Sequence, residues 1–338
     1  MKYLKGPQNN ADPNDRGGYA ALQAGAAVVD HAESRILRLA GRDPVGMLNA
    51  VLTNDVPAET DRGAYAALLN PKGRVQADLR VIKDPSGEAV FIVTEPEGAS
   101  AVKEILGRYA PFSRVKLEDL SGWTVLGFYG PDPATIRDAH GLAEHKSAEV
   151  EMIDGIKLLT VGVATPVPGF EHIGPAGMTR AVRERLIGAG AAAAGRDACE
   201  TARIAAGIPR FGADITPDNF PGESERFLER AVSFGKGCYP GQETVARMRY
   251  RGSPNKKLYR FELEPGPTQP PEAGDEILQE GKKPAGPIPS VDVVGWLTSV
   301  APFPVDGRLY ALGYLARKAD LEAPMRAEDA KILSATRA

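Results

Sequence analysis

The chain has 338 residues, of which 43% are apolar and 25% charged, and it carries a formal net charge of −3. This length exceeds what one hydrophobic core usually serves, so we expect two or three domains. The near balance of charges argues against a protein whose whole surface binds nucleic acid, and no apolar run approaches the roughly 20 residues of a membrane span. Because residues 1–18 carry neither an export nor an import signal, we expect a cytoplasmic protein.

The cysteine and histidine content limits the metal and redox chemistry that the chain can carry. Two cysteines, Cys199 and Cys238, cannot form a disulfide framework, which fits a reducing compartment. They are also too few to hold an iron–sulfur cluster by four thiolates of one chain. The four histidines show no metal-ligand spacing, and we predict no metal site.

The first half of the chain predicts helices and hairpins in a mixed order. Residues 1–27 are predicted to form a polar N-terminal extension. Residues 36–39 are typical of a strand, and Asp43 followed by Pro44 is typical of a helix start. A turn at 70–73 joins two strands, of which the second alternates apolar with polar residues. Because helices and hairpins are interleaved without strict alternation, the pattern favours an α+β fold.

The middle of the chain is rich in alanine. Residues 178–194 are predicted to form one helix. Asp197 is predicted to cap a second helix that ends at Gly207. Cys199 shares an apolar stripe of this second helix with Ala202, so we interpret it as a packing residue.

The most informative stretch is residues 234–243, Phe-Gly-Lys-Gly-Cys-Tyr-Pro-Gly-Gln-Glu. Gly237 directly precedes Cys238, and Lys236 lies two residues before it, where an extended backbone points both side chains to the same side. An ammonium group or a helix N-terminus nearby lowers the pKa of a thiol, so this pattern predicts a reactive thiolate. Tyr239 to Gln242 predict a tight turn that leads into a helix. The alternative is a glycine-rich turn around a small buried cysteine.

The same stretch carries a resemblance to a known family. Lys-Gly-Cys-Tyr-x-Gly-Gln-Glu at 236–243 resembles the signature of the YgfZ family, the folate-binding relatives of the glycine-cleavage T-protein, GcvT. Pro240 departs from the Thr or Ile expected at that position. Residues 52–56 and 68–79 are similar to the amino-terminal half of the T-protein family. The likeness covers roughly residues 28–318.

The resemblance implies an α+β fold of the T-protein type with a small C-terminal β-barrel domain. It implies a folate-binding region at 28–250 made of two interlocked subdomains, a barrel at 255–320 and a tail at 321–338. The composition after residue 252 fits a barrel, because short alternating strands are separated by a segment rich in Pro and Gly.

The resemblance also implies the residues of a folate site. Asp55 is the counterpart of a catalytic carboxylate, although by itself it is a helix-end or turn residue. Glu171 matches a glutamate that holds the pterin, and one carboxylate can accept both adjacent donors of a pterin, with a solvated loop glutamate as the alternative. Arg203 matches an arginine near the folate, with a structural ion pair as the alternative. The remaining candidates are Tyr65, Gln242 and Asn70, the last of which is equally suited to forming a turn.

Together these features predict a folate-binding protein that supports the assembly or repair of iron–sulfur clusters in client enzymes, including tRNA-modifying radical enzymes. Cys238, assisted by Lys236, would act on a cluster, a persulfide or a partner thiol. The bound cofactor would be tetrahydrofolate or a derivative. The partners would be iron–sulfur client or assembly proteins, and the protein would be more an accessory factor than an enzyme, with a folate-dependent transferase as the alternative.

Two other functions compete with this hypothesis. A tetrahydrofolate-dependent aminomethyltransferase, or a related one-carbon transferase, would explain Asp55 together with Glu171 but would not need the cysteine motif. A tRNA-binding module would depend only on the basic run from Arg247 to Lys257, and such runs are more often solvated faces.

Overall fold

Three β-sheets organise the computed structural model, which describes residues 15–56, 63–84, 87, 89–131, 149–153, 156–164, 166–266, 269–280 and 291–338. In order across the first, six-stranded sheet, the strands are β11 (Ala192–Ala194), β1 (Ala27–His31), β7 (Trp123–Tyr129), β10 (Gly169–Pro175), β9 (Ile156–Val163) and β8 (Glu149–Ile153). The second, five-stranded sheet has the order β3 (Ala64–Leu69), β4 (Val75–Lys83), β5 (Ala89–Thr94), β2 (Arg35–Gly41) and β6 (Val115–Asp119).

The third sheet closes on itself as a six-stranded barrel. Its strands, in order around the barrel, are β12 (Lys256–Glu264), β15 (Leu309–Ala316), β14 (Val291–Val300), β13 (Glu276–Glu280), β16 (Met325–Ala327) and β17 (Ala330–Arg337). The helices are α1 (Asp15–Ala24), α2 (Pro44–Val51), α3 (Pro96–Tyr109), α4 (Ala176–Gly188), α5 (Arg196–Ala205), α6 (Glu225–Ala231) and α7 (Gln242–Arg251), with a short 3-10 helix at 221–223. In the part of the chain that the structure describes, none of them is long and apolar enough to cross a membrane.

The two open sheets pack face to face through a shared apolar cluster. This cluster consists of Ile36, Ile82, Phe91, Val125, Leu159, Val161 and Ile173. The five-stranded sheet packs against α2 and α3, and the six-stranded sheet packs against α4 on one face and against α1 and α5 on the other. Successive side chains of a strand point to opposite faces of its sheet. Because each open sheet has packing partners on both faces, its central strands are buried on both sides.

The helix start predicted at 43–44 is confirmed. The Asp43 carboxylate accepts a hydrogen bond of 2.8 Å from the backbone N–H of Gly46, and Pro44 occupies the first helical position. Aspartate satisfies a backbone donor that an isolated helix end leaves unpaired, and proline has no N–H to lose there. The local sequence therefore fixes where α2 begins.

The alanine-rich segment differs from its prediction. The helix predicted over 178–194 ends at Gly188, and residues 192–194 form β11, which pairs in parallel with β1. Gly190 adopts a φ of +105°, a conformation that favours glycine and stops the helix. The small side chains of β11 let α1 approach closely, because a Cβ at Gly18 would lie 2.8 Å from Ala194 Cα.

Both predicted ends of the fold also differ from the structure. Residues 15–27 were expected in an extension, but α1 covers 15–24 and β1 begins at Ala27. Residues 321–338 were expected to form a tail, but they supply β16 and β17. The barrel needs them, because β17 pairs with β12 from Tyr259 opposite Arg337 onward and thereby closes the ring of strands.

The start of α5 is capped by a residue from α1 rather than by the predicted Asp197. The Asp15 carboxylate accepts hydrogen bonds from the backbone N–H groups of Gly195, at 2.6 Å, and of Asp197, at 3.0 Å. Asp15 is buried, and Gly195 provides no side-chain cap of its own. An acceptor 180 residues away in sequence therefore satisfies the free donors of this helix end.

We expect Asp15→Ala to lower the free energy of unfolding by about 1–2 kcal/mol, because two partly buried helix-end donors lose their acceptor. Asp15→Asn keeps one amide oxygen and should cost less. The measurement is chemical denaturation of the two variants beside the unaltered protein. Equal stability of all three proteins would contradict the capping role.

Candidate functional site

A cavity of about 540 Å³ lies where the two open sheets and α5 meet. Its wall includes His31 at the end of β1, Tyr65 of β3, Asp78 of β4 and Cys199 of α5. A smaller, apolar cavity of about 50 Å³ shares His31 and Cys199 with it. The larger cavity has the volume of a typical small-molecule site, and several polar groups converge on it, so it is the main candidate binding site.

One wall of this cavity carries two carboxyl groups that gain protons readily. Tyr65 Oη donates a hydrogen bond of 2.6 Å to Asp78, and burial raises the pKa of the Asp78 carboxyl. Burial and the charge of Asp78 raise the pKa of Glu95 to about 7. The Arg230 guanidinium lies 4.5 Å from the centre of the Tyr65 ring. A carboxyl with a pKa near neutrality can accept or donate a proton, so this wall can perform acid–base chemistry.

Neither Asp78 nor Glu95 stands out in the sequence as a site residue. In β4 the polar residues Gln76, Asp78 and Arg80 alternate with apolar ones, a pattern that usually marks a strand with one solvated face. Here that face turns toward the cavity and the other sheet, and Asp78 is only 5% exposed. A carboxylate on a strand that is buried on both faces would have marked a site residue. That burial is visible only in the packing of the folded protein.

Glu171, the predicted pterin ligand, lies beside the cavity and not in its lining. It forms an ion pair with Arg80 of β4, and its Oε1 accepts a hydrogen bond of 3.0 Å from Tyr129 Oη. Tyr129 Oη also bonds to His31 Nε2 at 2.8 Å. The Glu171 carboxylate is thus already engaged, and His31 is the member of this chain that lines the cavity.

Arg203, the predicted folate arginine, is held by protein acceptors on all five of its N–H groups. It makes a bidentate pair with Glu200, with both distances 2.9 Å, and its Nη1 donates to Asp214 and to the Ile208 carbonyl, both at 2.7 Å. Its Nη2 also donates to Ser299 of the barrel at 3.0 Å. Because no donor is left for a ligand, this geometry favours the alternative of a structural ion pair.

The cysteine loop is exposed at Cys238 and anchored on either side of it. Lys236 Nζ donates to the carbonyls of Asn49, at 2.8 Å, and Leu52, at 2.6 Å, which belong to the C-terminal end of α2. Burial lowers the pKa of this lysine. Its ammonium therefore serves the free carbonyls of a helix end. Activation of the Cys238 thiol by Lys236 stays a prediction.

The turn that follows Cys238 is confirmed. The Gln242 N–H donates to the Tyr239 carbonyl at 3.2 Å, and Gly241 adopts a φ of +82° just before α7. A Cβ at Gly241 would lie 2.7 Å from the Asn70 carbonyl oxygen, and Gly73, with a φ of +81°, packs against Thr244 of α7. Two glycine turns thus fit directly against each other, and the β3–β4 hairpin fixes the position of the cysteine loop.

The remaining predicted residues lie outside the cavity lining. Asn70 shapes its own turn, since its side-chain oxygen accepts from the N–H groups of Lys72, at 3.0 Å, and Arg74, at 3.1 Å. Asp55 is exposed near Lys236, whose charge it favours. Gln242 is the first residue of α7. The structure therefore brings only Tyr65 and Arg203 of the predicted folate residues to the cavity wall.

The basic run from Arg247 to Lys257, considered above as an RNA-binding alternative, includes two lysines that pair with glutamates. Lys256 and Lys257 are half-buried and lie 3.8 Å from Glu223 and 3.2 Å from Glu225. Within the described residues, no group of three His, Cys, Asp or Glu side chains is arranged to hold a metal ion.

The fold is that of the T-protein class. The structure superposes on the crystal structure of the glycine cleavage system aminomethyltransferase T from Bartonella henselae with a TM-score of 0.72, over 94% of this chain and 86% of that chain, at 22% sequence identity. The predicted α+β, T-protein-like fold with a small C-terminal β-barrel is confirmed.

Sequence comparison then gives the family. Residues 3–236 match the GCVT N-terminal domain family, to which the chain belongs. It is 29% identical over 254 residues, 72% of each chain, to the tRNA-modifying protein YgfZ of Sodalis glossinidius. It is 26% identical to an aminomethyltransferase of Moorella thermoacetica, over 86% of this chain and 78% of that one. An uncharacterized protein of Haemophilus influenzae is 28% identical, over 79% of this chain and 85% of the relative. The predicted resemblance to YgfZ proteins is confirmed.

Gly241→Ala should destabilise the protein by about 2–3 kcal/mol, because alanine disfavours a positive φ and its methyl group would press on the Asn70 turn. Gly237→Ala is the matched control, since a Cβ there meets no atom within 4 Å and its φ is not positive. Chemical denaturation of both variants measures the difference. If the two glycines tolerated alanine equally, the contact between the turns would not constrain the loop.

The two cysteines should differ in reactivity. Burial raises the pKa of the Cys199 thiol to about 12, whereas Cys238 is exposed. Because the thiolate is the reactive form, we expect one fast-reacting thiol with an aromatic disulfide reagent near neutral pH and a second that reacts only on unfolding. Cys238→Ser should remove the fast phase; a fast phase that persisted in this variant would contradict the assignment.

Proposed function

We propose that this protein binds tetrahydrofolate or a derivative in the central cavity and supports the assembly or repair of iron–sulfur clusters in client enzymes. The observation that carries the proposal is the exposed thiol of Cys238, displayed by a loop that is anchored at Lys236 and Gly241. A surface thiol of this kind fits a reducing, cytoplasmic compartment. The relatives named as tRNA-modifying proteins support clients among tRNA-modifying enzymes.

The cavity residues fit a folate. The volume suits a drug-sized ligand, the Tyr65 side chain contributes an aromatic ring, and Asp78 and His31 contribute polar groups to the lining. Tetrahydrofolate, when bound, supplies the capacity to carry a one-carbon unit. The chain itself would orient the pteridine between the two open sheets and exchange protons through Asp78 and Glu95.

Cys238 would act outside the cavity, on a cluster, a persulfide or a thiol of the partner. A Cβ at Gly235 or at Gly237, the two glycines just before it, would meet no atom within 4 Å, so a partner surface can approach this part of the loop closely. Tyr239, the next residue, packs in the same apolar cluster as Tyr65, which lines the cavity. Ligand binding at Tyr65 and the position of the Cys238 loop are therefore linked through one packed cluster.

A one-carbon transferase is the second candidate, and the carboxyl pair Asp78 and Glu95 favours it. A cavity with proton-exchanging carboxyl groups is suited to transfer from a methylated amine. Incubation with tetrahydrofolate and methylated amines tests this directly. Turnover that survives Cys238→Ala would support the transferase and contradict a cysteine-dependent accessory role.

A tRNA-binding module has less support, because the pairing of Lys256 and Lys257 leaves Arg247 and Arg249 as the exposed cations of the run among the described side chains. Binding to tRNA that weakens steeply with salt would support such a module, and absence of binding at low salt would dismiss it.

Cys238→Ala should reduce the activity of iron–sulfur client enzymes to the level of cells that lack the protein, while tetrahydrofolate binding stays within about twofold, because the sulfur lies outside the cavity lining. Cys238→Ser tests whether a hydroxyl of similar size can substitute, and we expect that it cannot. The measurements are complementation of the client activity and a binding titration. Full complementation by Cys238→Ala would contradict the proposal.

A further inference from the structure

His31 ends a buried polar chain that runs from Arg80 through Glu171 and Tyr129 to the cavity. Arg80 pairs with Glu171, Tyr129 Oη lies 3.0 Å from Glu171 Oε1, and His31 Nε2 lies 2.8 Å from Tyr129 Oη. The four side chains come from β4, β10, β7 and β1, so both open sheets contribute. His31 is the member of this chain that lines both cavities.

The proton positions along this chain follow from its chemistry. Burial opposes ionisation of Glu171, but the charge and hydrogen bond of Arg80 outweigh it and lower the pKa of the carboxyl, so Glu171 accepts hydrogen bonds only. Burial and Glu171 hold the pKa of Tyr129 well above its usual value. The single Tyr129 proton therefore goes to Glu171, and the Tyr129 oxygen accepts from His31 Nε2–H.

A neutral His31 protonated on Nε2 exposes an acceptor on Nδ1. Burial lowers the pKa of His31, and the charge of Arg80 lowers it further. The charges of Glu171 and Asp30 act in the opposite direction but do not outweigh burial. No hydrogen bond joins its Nδ1 to another side chain or backbone group in the described part of the chain. The lone pair of Nδ1 is therefore available to a ligand in the cavity.

Gly127 fixes the geometry of this relay. It lies in β7 directly opposite Val29 of β1 and Glu171 of β10. A Cβ at Gly127 would collide with the Tyr129 ring, so the ring lies against the glycine backbone and carries its hydroxyl between Glu171 and His31.

We infer that His31 Nδ1 accepts a hydrogen bond from an N–H group of the reduced folate in the central cavity, and that Tyr129 and Glu171 are positioning residues that hold the required tautomer. This inference rests on the proposed folate binding. It assigns His31 as a direct ligand contact, in place of the predicted Glu171. A site built to accept a hydrogen bond discriminates against ligands that lack the matching donor.

The test is a tetrahydrofolate titration of three variants. His31→Phe keeps the ring shape without an acceptor and should weaken binding about fivefold to tenfold, while His31→Gln should recover part of the loss through its amide oxygen. Glu104→Gln is the control, because Glu104 is an exposed residue of α3 that pairs with Arg108 and lies outside the cavity lining. Binding of His31→Phe within twofold of the unaltered protein would overturn the inference.

Nitrogen NMR of protein labelled with ¹⁵N-histidine reports the protonation of His31 Nδ1 directly. A purely structural role of His31 would not change this signal when ligand is added. We expect an unprotonated Nδ1 resonance for His31 in the free protein that shifts on addition of tetrahydrofolate, and mixed tautomers in Tyr129→Phe. A protonated Nδ1, or a resonance that tetrahydrofolate leaves unmoved, would overturn the inference even if His31→Phe failed to fold. Absence of any tetrahydrofolate binding by the unaltered protein would instead contradict the proposed function itself, and the inference with it.

Discussion

The packing of the barrel against the rest of the chain depends on the hydrogen bonds and ion pairs of the buried Arg203 guanidinium. It joins Glu200 of α5, the segment that carries Asp214, and the barrel residue Ser299. Asp214 in turn accepts from Thr298 at 2.5 Å and from Ser299 at 2.7 Å. A buried charge is tolerated only when its partners are complete, and loss of one partner typically costs about 3–5 kcal/mol. This network therefore ties the barrel to the wall of the cavity.

The cavity and the Cys238 loop, which would carry the two parts of the proposed chemistry, are separate but share one packed apolar cluster. The cavity holds the carboxyl groups and the imidazole, whereas Cys238 stands on an exposed loop outside the cavity lining. Between them lies the apolar cluster that contains both Tyr65 and Tyr239. Such an arrangement allows a ligand in the cavity to influence the loop by packing alone, because close-packed side chains transmit displacement. It does not require the ligand to touch the sulfur.

Local sequence determined the features whose causes are local. The start of α2 follows from Asp43 and Pro44, and the turn after Cys238 follows from Pro240 and Gly241. Motif resemblance determined the fold class and the family. Long-range contacts determined the rest: Asp15 caps α5 from 180 residues away, and the alanines of β11 become a strand because β1 offers an unpaired edge beside them.

The candidate site was harder to predict than the fold for the same reason. Tyr65 was predicted as a folate-site residue and lines the cavity. Arg203 and Glu171 were predicted too, but Arg203 is engaged by its acidic partners and Glu171 by Arg80. Asp78 and His31 gain their importance from which face of a strand meets the cavity. Strand alternation shows which side chains share a face of the sheet, but it does not show which face lines the cavity. Sequence alone could therefore not select these side chains.

A reduced folate in the cavity between the two open sheets would leave Cys238 free for a partner, and this arrangement underlies the proposed function. A crystal structure of the protein with tetrahydrofolate tests it most directly. We expect the pteridine within contact of His31, Tyr65 and Asp78, with the Cys238 sulfur still exposed to solvent. A pteridine bound elsewhere, or one that covers the Cys238 sulfur, would contradict it.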